Sequence, residues 1–267
     1  MPSEKIISAQ NPRVKSVVRL REHRDRLKTG LTVVEGWREV SRAVKARIEL
    51  KEVYVCPDFF DERADKKLIR DLERIALLIE VSPAVFAKMA FGDRHEGVLA
   101  VCRPGTARLS DLKVPAKPLY VIVETIEKPG NLGAILRTCD AAGVDGVIIC
   151  DEATDIYNPN VIRASVGTVF AVAAVRASND EALDFLKRNK VAVCATFPGA
   201  GTVYTQENLD RPLAIVIGSE QKGLSGFWMK HSDIKIKIPM RGTGDSLNAS
   251  VSAAVVIYEV IRQRTQT

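Results

Sequence analysis

I-P-M-R-G-T-G-D-S-L-N-A-S-V-S-A-A, residues 238–254, begins as the end of a strand and finishes as a helix. Between the two lie Arg241, Gly242, Gly244 and the run Asp245, Ser246, Leu247, Asn248. A helix start needs one capping side chain. Ser246 fills that need, and capping alone accounts for Asp245 or Ser246 but not for both beside Asn248. The surplus of donors and acceptors marks the joint as a place built to hold something. From Ala249 onward the small, apolar A-S-V-S-A-A-V-V-I-Y suits close packing against a sheet, another helix or a second subunit.

Working outward, residues 119–264 alternate between strand and helix patterns. Strands are expected at 119–124, 147–150, 172–175, 191–196, 213–217 and 235–238, with helices after Asn131, at 161–166 and at 246–264. The first strand, L-Y-V-I-V-E, is almost continuously apolar, the mark of burial on both faces. The alternation predicts an α/β fold around a mostly parallel sheet, in which ligands bind beyond the strands' carboxyl ends. The N-terminal part shows strands at 31–35, 50–55, 76–81 and 97–101 and helices at 40–48, 66–75 and 82–90. The stretch R-P-G-T-A-R-L-S-D-L-K-V-P-A-K-P that follows carries three prolines and few large apolar residues, a linker composition. The expected organisation is therefore a first domain over 1–104, a linker over 105–117 and a second domain over 118–267.

The 267 residues carry 46% hydrophobic and 27% charged side chains, as a folded globular chain does. No apolar run approaches the ~18 residues of a membrane span, and the start M-P-S-E-K-I-I-S-A-Q lacks an export pattern, so the expected location is the cytoplasm. Five cysteines, an odd number without a C-x-x-C pair, and three scattered histidines (His23, His95, His231) argue for reduced thiols and no metal site. The charge is lopsided. Residues 1–50 hold 12 basic and 6 acidic side chains, which is the whole net surplus of +6. Within them, residues 13–28 read as a helix with Val14, Val17, Val18 and Leu27 on part of its surface. A solvated helix face explains any one basic run. A one-sided surplus at pI ≈ 9.1 favours a polyanion, nucleic acid rather than membrane.

Two further joints follow strands. In E-K-P-G-N-L-G-A-I-L-R-T (127–138), Pro129 and Gly130 turn the chain, Asn131 is placed to cap the helix, and Gly133 lets it approach the sheet. Arg137 lies well inside that helix, where capping needs no cation, though a surface arginine is also expected there. The spacing is not the G-x-G-x-x-G of a dinucleotide site. In I-G-S-E-Q-K-G-L-S (217–225), Gly218 admits a close backbone approach and Glu220 sits where it would complement a helix dipole. Nothing in it matches a P-loop.

Taken together, these three joints resemble, in order and spacing, the signature motifs of the SpoU (TrmH) class of SPOUT RNA ribose 2′-O-methyltransferases. The resemblance covers about residues 119–264. S-A-Q-N-P-R-V-K with V-V-E-G-W-R-E-V looks like the L30e-like substrate-binding domain often fused ahead of that domain. The resemblance implies a SPOUT-type sheet with a C-terminal trefoil knot, S-adenosylmethionine as cofactor, no metal, and a homodimer. It implies Gly218, Ile238 and Leu247 as cofactor contacts, joined by Thr196 and Met240 at neighbouring strand ends. Asn131, Arg137, Glu220, Ser246 and Asn248 match the catalytic positions. Arg13, Lys15, Arg19 and Arg24 are the candidates for RNA contact. Ribosomal RNA is the expected substrate, with transfer RNA the alternative and an inactive RNA-binding protein a more distant one.

Overall fold

The computed structural model describes residues 4–60, 65–92, 95–219 and 221–265. By its contacts the chain divides into two units, Met1–Gly105 with Tyr157–Ala171, and Thr106–Ile156 with Val172–Thr267.

The first unit contains β1 (Glu4–Ile6), α1 (Pro12–Arg19), α2 (His23–Thr29), β2 (Thr32–Glu35), α3 (Trp37–Lys45), β3 (Glu49–Val55), α4 (Lys66–Ile75), β4 (Leu77–Val81), α5 (Pro83–Met89) and β5 (Val98–Arg103). Its sheet runs β1-β4-β3-β5-β2, with β5 antiparallel to both neighbours. Val14, Val17 and Leu20 from the first helix meet Val85, Phe86 and Met89 of α5 over Tyr54, Ile79 and Leu99 of the sheet. The expected single helix over 13–28 is two. Buried Arg26 explains the break, since its Nη1 donates to the Leu20 and Arg21 carbonyls at 2.9 and 2.7 Å and so rewards a chain that turns there. Leu27, expected on the apolar surface, is exposed.

The second unit holds β6 (Leu119–Glu124), α6 (Pro129–Ala142) and β7 (Gly146–Cys150), after which the chain crosses to the first unit for α7 (Pro159–Ala164). There Thr32 Oγ1 donates to the Tyr157 carbonyl at 2.6 Å and Arg42 donates to that of Val166. Returning, it forms β8 (Ala174–Ala177), α8 (Asn179–Arg188), β9 (Ala192–Thr196), β10 (Thr202–Val203), β11 (Leu213–Ile217), α9 (Gly226–His231), β12 (Ile234–Lys237) and α10 (Ala249–Thr265). The sheet order is β10-β12-β9-β11-β6-β7-β8, and every pairing is parallel.

Every residue of β6, β7 and β11 is buried, which is what their unbroken apolar runs require of central strands. Tyr120, Ile122, Ile148, Ala214 and Val216 face one way, onto Leu183 and Leu186 of α8 and the fully buried Trp228 of α9. On the other side α6 and α10 pack together. The tail of α10 is pinned by Arg264, which donates to the carbonyls of Lys117, Pro118 and Arg211 at 2.9, 3.1 and 2.8 Å, just before β6 and β11 begin. No helix of the described residues is long and apolar enough to cross a membrane. Arg264→Ala removes all three bonds and should cost about 2 kcal/mol. That corresponds to a fall of about 4–8 °C in a thermal melt followed by circular dichroism; an unchanged melt would mean the clamp carries no stability.

Candidate active site

Three neighbouring strands, β12, β9 and β11, leave the sheet at the same edge, because parallel strands share one carboxyl end. β11 runs into Gly218 and a tight turn. Ser219 N donates to the Gly223 carbonyl at 3.1 Å, Gly223 N returns the bond at 3.0 Å, and Lys222 N donates to Ser219 Oγ at 3.0 Å. Gly223 closes the turn at φ +67°. A Cβ on Gly218 would lie 2.4 Å from the carbonyl carbon and oxygen of Gly223 and 2.5 Å from Leu224 N. Gly218 is therefore required by the chain's own turn, and the close approach expected from a ligand is made by protein backbone.

Between that turn, the end of β9 and the segment after β12 lies a cleft of ≈ 360 Å³. Thr196, Gly218, Ile238, Met240 and Leu247 all line it, as does Ser246. Sequence reasoning had put all six at the site. It did not assign Ile217, Lys222, Leu224, Asp245 or Ser252, which also line the cleft. Ile217 had a signal, its place as the last residue of a buried strand, and Ser252 lies one turn along α10 from Asn248. The Thr196 hydroxyl is buried without a hydrogen-bond partner among the described residues. A buried polar atom left unpaired is costly, so a ligand bringing a polar group to this one would be favoured.

The first motif meets the third beside this cleft. Asn248 Nδ2 donates to Asn131 Oδ1 at 3.1 Å. Asn248 Oδ1 accepts from Ser250 N at 2.9 Å and Ser250 Oγ at 2.6 Å, so Asn248, not Ser246, caps α10, which starts at Ala249. Asn131 does not cap α6 either. Pro129 takes the first helical position, where its missing N–H costs nothing, and Asn131 falls inside the first turn with its side chain directed to the third motif. Arg137 is exposed on α6 and makes no hydrogen bond or ion pair among the described residues; it does not line the cleft. Glu220 lies outside the described residues. Gly242 and Gly244 have open space where a Cβ would go and no left-handed φ, so the backbone demands glycine at neither.

Of the basic candidates, Arg13 is engaged within the chain, 2.8 Å from Glu4 and 3.7 Å from Glu52. Lys15, Arg19 and Arg24 are exposed, with no ion pair among the described residues. The five cysteines are free and buried, and burial pushes the Cys139 and Cys194 thiols up to about 12. At neutral pH they stay protonated and are poor nucleophiles.

A cleft at the carboxyl edge of a doubly covered parallel sheet, walled by three strand exits, defines a small-molecule site of the kind α/β enzymes use. Residues 118–258 match the SpoU rRNA Methylase family, and residues 11–100 match the MRM3-like substrate binding domain. The chain is 27% identical to the Bacillus subtilis (strain 168) 23S rRNA (guanosine(2553)-2′-O)-methyltransferase RlmP, over 96% of this chain and 99% of that one. The crystal structure of an RNA 2′-O ribose methyltransferase is 38% identical with a TM-score of 0.87, across 98% of this chain and 99% of the other. The SpoU methyltransferase AviRb from Streptomyces viridochromogenes, solved with the cofactor AdoMet, is 28% identical with a TM-score of 0.85, covering 96% and 99%. The chain belongs to the SpoU rRNA methylase family.

Gly218→Ala should force the 219–223 turn away from the strand end and cost about 1–3 kcal/mol. Gly242→Ala, which meets open space, should stay within about 0.5 kcal/mol of the parent. Denaturant titration of both variants checks the pair, and equal stability would show that the turn yields without resistance.

Proposed function

We propose that the protein is an S-adenosylmethionine-dependent RNA ribose 2′-O-methyltransferase acting on ribosomal RNA. The observation that carries this reading is the convergence of Thr196, Gly218, Ile238, Met240, Ser246 and Leu247, from three separate strand exits, on one cleft. The cleft suits the cofactor: Ile217, Leu224, Ile238 and Leu247 give apolar walls, and the Thr196 hydroxyl, unpartnered among the described residues, would pair with a polar group brought to it. When bound, the cofactor supplies an electrophilic methyl carbon on a sulfonium.

What the chain must then do is hold a ribose and favour its alkoxide. A 2′-hydroxyl is a poor nucleophile until its proton passes to solvent or a base, so the residues here would hold the sugar in line with the methyl group and favour that loss. Guanidinium has a pKa above ~12 and does not serve as a base. Arg137, exposed and unpaired among the described residues, is suited instead to grip the phosphate beside the target ribose and stabilise negative charge developing on the sugar oxygen. The Asn131–Asn248 pair offers amide groups to orient the ribose, and Ser246 faces the cleft beside them. Glu220 would orient Arg137 or Asn131.

In the first unit Lys15, Arg19 and Arg24 are free to contact phosphates, and Arg13 is the weakest of the four candidates because two carboxylates already hold it. Homodimerisation belongs to the same proposal: Val251 and Tyr258, seven residues apart on α10, expose apolar surface on one helix face. So does the trefoil knot, threaded by the segment between β12 and α10, and a cytoplasmic location beside the ribosome.

The deciding experiment maps 2′-O-methylation across ribosomal and transfer RNA incubated with the protein and labelled cofactor. Methylation of one ribosomal nucleotide is expected, and Arg137→Ala should lower turnover by at least about 100-fold with cofactor affinity nearly intact. Label in transfer RNA alone would reassign the substrate; full turnover by the variant would remove Arg137 from the mechanism. Replacing Lys15, Arg19 and Arg24 together by Gln should reduce the slope of log K against log salt by about 0.7–0.9 per lost phosphate contact. An unaltered slope would make this surface merely solubilising.

A further inference from the structure

Glu124, the last residue of β6, is 3% exposed and accepts a hydrogen bond on each carboxylate oxygen from elsewhere in the chain. Its Oε2 accepts from the Ser225 backbone N–H at 2.8 Å, and its Oε1 from Asn179 Nδ2 at 3.3 Å. The same Asn179 amino group donates to Asp151 Oδ2 at 2.8 Å, while Asn179 Oδ1 accepts from Trp228 Nε1 at 2.7 Å. One polar network thus joins the ends of β6 and β7 to the first residue of α8 and to α9. An apolar residue would fill that space at less cost, since a carboxylate taken from water must be fully hydrogen-bonded to be tolerated.

A second observation stands beside it. Thr125 and Asp151, the residues next after Glu124 and Cys150, both have left-handed backbone, at φ +53° and +48°. Glu124 and Cys150 are register partners on adjacent strands, so the two strained residues lie side by side at the sheet's edge. Non-glycine residues hold that conformation at a cost, and such strain gathers where a fold must aim its chain.

We infer that Glu124 is a positioning residue for cofactor binding. Its carboxylate ties Ser225, at the end of the turn that walls the cleft, to the strand that leads into α6 with Asn131 and Arg137. The turn that walls the cleft is thereby held against the sheet edge. The inference rests on the cleft being the S-adenosylmethionine site.

The test compares Glu124→Ala with Glu124→Gln, whose amide oxygen still accepts from Ser225 N–H while the longer bond from Asn179 Nδ2 is lost. In Glu124→Ala the KM for S-adenosylmethionine should rise about tenfold, with kcat at saturating cofactor within about threefold of the parent; Gln should restore KM to within about twofold. Ser225→Pro provides an independent arm should the alanine variant fail to fold. Ser225 has φ −66°, which proline adopts, and the substitution removes the donated N–H together with a hydroxyl that has no hydrogen-bond partner among the described residues. It should raise KM as the alanine does. A folded Glu124→Ala or Ser225→Pro protein with parental KM would overturn the inference, as would a glutamine variant as impaired as the alanine one. If the parent itself fails to bind S-adenosylmethionine in a calorimeter, the proposed function falls, and this inference with it.

Discussion

The backbone of Gly223 and Leu224 occupies the space where any side chain on Gly218 would project, and the shape of the cleft follows from that contact. Closed by its paired Ser219–Gly223 bonds, the turn cannot spread over the sheet edge, so it stands up as a wall. Opposite it, β9 and β12 deliver Thr196 and Ile238 to the same edge, because parallel strands all end on one side and each return is made by a crossover. The turn, a floor of strand ends and the long segment between β12 and α10 together make the pocket.

The chemistry is divided along the same lines. Among the cleft's described lining residues the titratable side chains are Lys222 and Asp245 alone, and most of the rest are apolar or small. That described lining offers surface to bind and orient a ligand. The thiols offer no covalent route, because burial keeps them protonated. Under the proposed function the acceptor oxygen would sit beside the pocket. The groups that could hold that oxygen, Asn131 and Asn248, are joined to each other at the cleft's margin.

The parts of this arrangement that were legible in the sequence are those with strong periodic or apolar signals. The strands at 119–124 and 213–217 appear with their expected limits, since a buried central strand leaves an unbroken apolar run. Thr196, Gly218, Ile238, Met240, Ser246 and Leu247 line one cleft, far apart though they are in the chain. Helix starts were misjudged where two good candidates compete: Pro129 pre-empts Asn131, and Asn248 pre-empts Ser246. The break in the first basic helix was invisible because it depends on Arg26 folding back on carbonyls behind it. Least legible was Tyr157–Ala171, which packs with the first unit although it lies between strands of the second. Its anchors are tertiary. Val166 is left-handed at φ +54°, and Gly167 fits only because a Cβ there would meet Glu39 Cα at 2.9 Å.

Two charged side chains near the first motif show how fold and function can be told apart without a bound ligand. Glu124 is buried, and folding itself supplies its donors, from the Ser225 backbone and from Asn179. Arg137, two turns into the following helix, is exposed and receives nothing from the described chain. Folding can reward the first residue and is indifferent to the second. A carboxylate that the fold satisfies acts through what it positions, whereas a guanidinium that the fold leaves in water is available to an anion from outside. An RNA phosphate is the anion that a methyl-transfer site for ribose would bring to it.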